Sequence, residues 1–194
     1  MLESIRAALL HFDLWVWHYL NNEWHNDLLD GIIPFFRNQY FWIPLYLFLL
    51  VFMPLHYRKR GWIWCFGFVI AFALADKISA GMIKPLFARV RPCNTPQLQS
   101  VVHLIVECGS GLSFPSSHAT NHFAMGSFMA ATIGRSYRWV AYASIFWAAL
   151  ISYSQVYVGV HFPLDVLCGG LLGATIGLFI ASLFNRRVGR LERL

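Results

Sequence analysis

His161 and Asp165 lie four residues apart in Ser154-Gln155-Val156-Tyr157-Val158-Gly159-Val160-His161-Phe162-Pro163-Leu164-Asp165. There one apolar stretch ends, turns at Gly159 and re-enters apolar sequence through Pro163. A carboxylate beside an imidazole fixes its tautomer and stabilises the imidazolium, which makes His161 a candidate nucleophile with Asp165 behind it. Ionisable residues at the edge of apolar segments are functional candidates, because burying them unpaired is costly. A second stretch, Lys84-Pro85-Leu86-Phe87-Ala88-Arg89-Val90-Arg91-Pro92, holds Lys84, Arg89 and Arg91 close together. Arginine can grip an oxyanion bidentately, and lysine serves as a point charge. In the third stretch, Ser113-Phe114-Pro115-Ser116-Ser117-His118, Pro115 and Ser116 open an apolar segment. The N–H groups of Ser116, Ser117 and His118 at a helix start would form an anion site, and His118 could protonate a leaving oxygen beside it. Each stretch also has a plainer reading: a structural membrane-edge histidine, a snorkelling basic belt, and a serine-capped helix start.

The elements that must position these groups follow from composition. Of the 194 residues, 58% are hydrophobic and only 12% charged, with a mean hydropathy of +0.53. Globular chains carry about a quarter charged residues, so this is the composition of a membrane protein. Apolar spans are predicted at about 40–56, 62–83, 115–134, 139–157 and 163–184. The span at 115–134 is dotted with Ser, Thr, Asn and His and should face protein more than lipid, while Gly169, Gly170, Gly173 and Gly177 in the last should allow close helix approach. Residues 1–39 mix aromatic residues with acids and histidines and read as two interfacial amphipathic helices, 3–21 and 26–37. A crossing by residues 5–21 is the rival reading.

The net charge of +6 does not point to nucleic acid. Nine of the 15 basic residues lie at span ends, as Arg58-Lys59-Arg60, Arg135 with Arg138, and Arg186, Arg187, Arg190 and Arg193. With those clusters in the cytoplasm, the segments 84–114 and 158–162 share the opposite face, where all three reactive stretches meet. No cleavable signal peptide or internal repeat is evident. Asp76 reads as the structural partner of a nearby cation, and the His118–His122 pair lacks a third ligand at metal spacing. Cys65 and Cys168 fall inside spans. Cys93 and Cys108 lie in the outer loop, where oxidation to a disulfide and persistence as free thiols are both open.

Together the stretches resemble the type 2 phosphatidic acid phosphatase family, which shares its site with vanadium haloperoxidases. Its pattern is Lys-x6-Arg-Pro, then Pro-Ser-Gly-His, then Ser-Arg-x5-His-x3-Asp. Here stand Lys84…Arg91-Pro92, Pro115-Ser116-Ser117-His118 and Ser154-Gln155…His161…Asp165, across about residues 40–184. The resemblance implies attack by His161 on phosphorus to give a phosphohistidine, with Asp165 orienting it. His118 would protonate the leaving lipid oxygen and then help activate water. Lys84, Arg91, Ser116, Ser117 and Gln155 would hold the phosphoryl oxygens, with no metal and no cofactor. Two positions depart from the pattern. Ser117 replaces glycine, which is mild if only its N–H is used. Gln155 replaces a phosphate-binding arginine, and a neutral hydrogen bond is worth about 1 kcal/mol against about 1.5–3 for an ionic one. Arg89, or Lys77 from the preceding helix, is expected to restore the charge.

The sequence therefore predicts an all-α polytopic membrane protein of about five transmembrane helices. It comprises an interfacial segment (1–39), a membrane-embedded phosphatase core (40–184) and a basic cytoplasmic tail (185–194). The expected activity is hydrolysis of a lipid phosphomonoester or diphosphate at the periplasmic or exterior face of a bacterial cytoplasmic membrane. Undecaprenyl diphosphate, a lipid A phosphate, phosphatidylglycerophosphate and phosphatidic acid are the substrates the family implies. The expected partners are that substrate and membrane lipids, not nucleic acid. The alternative is a catalytically weak lipid-phosphate binder, favoured by Gln155. A haloperoxidase or a channel fits less well, because the chain is too apolar for the first and its charges gather at one face instead of lining a path.

Overall fold

The computed structural model describes residues 1–191, and every regular element among them is helical. Arg193 of the last basic cluster lies outside the described residues. The N-terminal segment forms α1 (Leu2–His18), a π-helical turn (Tyr19–Glu23) and α2 (Asp27–Arg37). Asn26 caps α2 by accepting the Leu29 N–H at 3.0 Å, and Asp27 and Asp30 lie in its first turn with Arg37 in its last. That charge order suits the helix dipole.

α3 (Ile43–Asp76) is broken at Arg58, which adopts φ 48° and ψ −125°. The predicted spans at 40–56 and 62–83 are therefore the two arms of a hairpin. Tyr46 on the first arm and Asp76 on the second both reach the N-terminal half of α5 (Ser117–Ala131), at His122 and Asn121, whereas Trp64 bonds Thr132 at its other end. The second arm runs on through a π-helical stretch (Lys77–Ile83) into α4 (Lys84–Phe87). Ala88, at φ 47°, ends it in the left-handed region and turns Arg89 and Arg91 out of the helix.

α5 is the central helix, and α6 (Arg138–Tyr157) and α7 (Pro163–Val188) pack around it. Ten of its fifteen residues are buried, including Thr120, Asn121, His122 and Ser127. A helix enclosed by others need not be apolar, which explains why the predicted span at 115–134 is so polar. Gly173 and Gly177 of α7 touch the backbone carbonyls of Thr120 and Ala124, so a side chain at either would collide with main chain. The core is completed by Trp64, Phe68, Phe128, Trp147, Ile151 and Phe184.

Among the described residues, two stretches are long and apolar enough to cross a bilayer by length and composition, one within 39–98 and the other α7. α5 by itself is short for a span, at roughly 1.5 Å per residue, and the 3-10 turn Ile133–Arg135 follows it toward the basic end. The basic clusters converge at one end: Arg60 Nη1 donates to the Arg190 carbonyl (3.4 Å) and Ser136 Oγ to that of Leu191 (2.9 Å). The three reactive stretches gather at the other. Cys93 and Cys108 are joined in a disulfide with a Cα–Cα distance of 6.0 Å, while Cys65 and Cys168 are free.

Candidate active site

Asp165 is the hub of the site. As the third residue of α7 it accepts the Phe162 N–H at 2.9 Å and so closes the start of that helix. Its Oδ1 pairs with Arg89 Nη1 at 2.6 Å, and its Oδ2 accepts Ser113 Oγ at 2.5 Å. His161 Nδ1 lies 3.6 Å from that Oδ2 and 3.4 Å from Ser113 Oγ. The hydroxyl thus bridges imidazole and carboxylate, accepting from Nδ1–H while donating to Asp165. This arrangement fixes the proton on Nδ1 and leaves Nε2 with its lone pair. His161 is only 2% exposed. Burial pulls its pKa down to about 4, opposed by Asp165 and reinforced by Lys84 and Arg91. At neutral pH its ring is therefore uncharged.

Lys84 and Arg91 lie on the His161 side, each half-buried. Lys84 Nζ donates to the Leu112 carbonyl at 2.6 Å. Burial, with Arg91 beside it, draws the Lys84 pKa down to about 8. The Arg91 guanidinium lies over Gly109 and Gly111, where a Cβ would approach it to 3.2 and 3.3 Å. Its Nε is buried and has no hydrogen-bond partner among the described residues. Among the described residues neither cation has a carboxylate in ion-pair reach. Half-buried cations gathered without an ion-paired acid can form a cradle for an anion.

The start of α5 differs in one respect from the expectation. The Ser116 N–H is tied to the Asp165 carbonyl at 2.9 Å, and its Oγ caps the helix by accepting from Ala119 N–H at 3.4 Å. Among the described residues only the Ser117 and His118 N–H groups of that trio lack an acceptor. Ser117 Oγ accepts from Ser79 Oγ at 3.3 Å. The His118 ring is half-buried and parallel to that of His122, with 6.2 Å between centroids. His122 is itself committed, Nδ1–H to the His118 carbonyl at 2.8 Å and Nε2 to Tyr46 Oη at 3.3 Å. His118 also lines a cavity of about 630 Å³ whose walls include Tyr40, Ile43, Tyr46 and Phe72.

Two expectations are corrected. Arg89 is not free to replace an arginine at position 155: it is clamped between Asp13 (2.6 Å) and Asp165 (2.6 Å) and lies 4.1 Å over the Phe162 ring. Lys77 is exposed and lies along its own helix against Gly81. Asp76 has an amide, not a cation, as partner, accepting from Asn121 Nδ2 at 3.0 Å. Gln155 is wholly buried, its Nε2 donating to the Ile151 carbonyl (3.4 Å) and its Oε1 accepting from Arg37 Nε (3.3 Å).

Sequence reasoning missed Ser113, Asp13 and Arg37. Asp13 is buried and, besides Arg89, accepts the Leu164 N–H at 2.8 Å. The one available signal was an acid set deep in an apolar N-terminal stretch. Asp13 of α1 and Arg37 of α2 thus contact Arg89 and Gln155 directly.

A sequence model described as PAP2 superfamily matches residues 60–188. The chain is 27% identical over 174 residues to the lipid A 4'-phosphatase of Bacteroides thetaiotaomicron, covering 87% of this chain and 75% of that one. It is 34% identical over 151 residues to the undecaprenyl-diphosphatase of Sulfolobus acidocaldarius, covering 76% and 67% respectively. Among solved structures, its fold is similar to that of a transmembrane PAP2-type phosphatidylglycerolphosphate phosphatase from Bacillus subtilis. The TM-score there is 0.67, at 23% identity, over 95% of this chain and 90% of that one.

Proposed function

The chain belongs to the PAP2 superfamily, and from that membership we infer that it is a membrane lipid phosphatase working without a metal through a phosphohistidine. The observation that carries this reading is the neutral, oriented His161 facing Lys84 and Arg91, cations that form no ion pair among the described residues. The Nε2 lone pair attacks phosphorus, and the bond from phosphorus to the leaving oxygen breaks. The Lys84 and Arg91 cations and the N–H groups of Ser117 and His118 hold the three remaining oxygens. His118 gives a proton to the leaving oxygen and then takes one from the water that cleaves the phosphohistidine. Asp165 stabilises the imidazolium formed during attack.

The cavity beside His118 supports a lipid as the leaving group. It is apolar, opens between the α3 hairpin and α5, and begins where the protonated oxygen would depart. The lipid A phosphatase and undecaprenyl-diphosphatase relatives make a lipid A phosphate and undecaprenyl diphosphate the first substrates to try, with phosphatidylglycerophosphate and phosphatidic acid behind them. Five membrane crossings, by the two arms of α3 and by α5, α6 and α7, with basic clusters in the cytoplasm, would set the site at the periplasmic or exterior face. The Cys93–Cys108 disulfide beside the site supports an oxidising compartment there.

The test is phosphate release by detergent-purified protein from those four lipids in EDTA, with His161→Ala alongside. Release from one lipid, an acid-labile phosphoprotein, and loss of both in His161→Ala are expected. Undiminished release by His161→Ala would overturn the mechanism.

A further inference from the structure

Gln155 occupies the position at which the family carries a phosphate-binding arginine, so the cradle looks one cation short in sequence. In the fold a cation reaches the same place from a different element. Arg37, the last residue of α2, donates its Nε–H to Gln155 Oε1 at 3.3 Å. This occupies one donor, and among the described residues both terminal nitrogens of the guanidinium are without a hydrogen-bond partner. Among the described residues no carboxylate lies within ion-pair distance of Arg37, in contrast to the doubly paired Arg89. Arg37 is close enough to Arg91 to feel its charge, and His118 is close enough to feel that of Arg37.

A half-buried cation beside another cation is repelled unless something favours it. The C-terminal end of α2 and the Gln155 side-chain oxygen Oε1 supply part of that, and an anion bound between Arg37 and Arg91 would supply the rest. The helix carrying Arg37 is firmly held against the core. Asp30 accepts Tyr157 Oη at 2.6 Å and pairs with His103 Nε2 at 2.9 Å. Ile33 packs with Cys93, Val158 and Val160. Gln155 thus keeps the geometric duty of its position, now by orienting a cation instead of being one.

We propose that Arg37 is the third phosphate-gripping cation of this site, brought in by α2, with Gln155 as its positioning residue. The proposal rests on the lipid phosphatase reading. It removes the ground for regarding Gln155 as the mark of a weak catalyst, and it makes the amphipathic N-terminal segment part of substrate recognition.

The experiment compares wild type, Arg37→Ala, Arg37→Lys, Gln155→Arg and Arg37→Ala/Gln155→Arg. Affinity for orthovanadate, a phosphate mimic that needs no lipid, is read from thermal-shift titrations in detergent. Phosphate release is read on whichever lipid is turned over. Arg37→Ala is expected to weaken vanadate binding and lower kcat/KM at least about 10-fold. Arg37→Lys should lose less. The double variant should recover most of both, which a merely misdocked α2 would not allow. Wild-type vanadate affinity in Arg37→Ala, or a deficit that Gln155→Arg leaves untouched, would overturn the proposal. Lipid turnover that survives His161→Ala would instead sink the phosphatase mechanism while leaving the anion-binding role of Arg37 intact, so the two failures are distinguishable.

Discussion

Lys84 carries the pH response of this site. Its pKa is drawn down to about 8 by burial and by Arg91, so the ammonium charge is lost as pH rises through that value. Substrate binding is expected to weaken above about pH 8, with KM rising while kcat changes less. In Lys84→Arg the limb should move to higher pH, because a guanidinium stays charged. A limb unmoved by that change would assign it to another group. Ser113 acts at the same scale but through another residue. Its hydroxyl joins His161 Nδ1 to Asp165 Oδ2 across a 3.6 Å gap. Ser113→Ala leaves the imidazole proton without its near acceptor, and kcat should fall about 10-fold with KM little changed. Single-turnover kinetics of phosphoenzyme formation would check this, and a rate equal to wild type would reduce Ser113 to packing.

The elements are held in place by a few buried polar groups that reach across long sequence separations. Asn21, in the π-helical turn between α1 and α2, donates to the carbonyls of His103 (2.9 Å) and Tyr157 (2.6 Å) and accepts the His103 N–H (2.9 Å). It ties the N-terminal segment to the outer loop and to the end of α6. Asn21→Ala strands those groups and should cost about 3 kcal/mol of stability, measured by thermal unfolding in detergent. Anion affinity should drop with it, since α2 carries Arg37. A stability change under about 0.5 kcal/mol would show that water replaces the side chain without penalty. The disulfide works alongside. Closing a loop of that length contributes about 3 kcal/mol in the loop-entropy model, and it fixes the chain between Arg91 and the start of α5. Alkylation of the denatured, unreduced protein should find two free thiols, Cys65 and Cys168. Four would mean that the loop is open.

At the scale of the whole molecule the charges are segregated. Arg60, the 132–137 turn and the start of the basic tail meet at one end, and Lys84, Arg91 and Arg37 at the other. If the bilayer lies between, cysteines introduced at Lys59 and Arg187 in a Cys65→Ser/Cys168→Ser background should react with an impermeant maleimide only from the cytoplasmic side. A cysteine at Gln99 should react only from outside. Labelling of all three from one side would reject the arrangement of five crossings.

Much of this was legible in the sequence alone. The helical class followed from composition, since 58% hydrophobic and 12% charged residues leave little choice of solvent. The tight approach of α7 followed from Gly173 and Gly177. The pairing of His161 with Asp165 followed from their spacing, because four residues across a helix start bring the two side chains together. What required the tertiary structure was every contact between residues far apart in the chain: Ser113 between His161 and Asp165, Asp13 on Arg89, and Arg37 on Gln155. Local spacing cannot announce these, because they depend on where α1 and α2 dock and on how the loop before α5 meets the start of α7, not on any period of their own. The substitution of glutamine for arginine at position 155 shows the difference most clearly. Read along the chain it is a missing charge, and read in space it is a charge carried in on another helix.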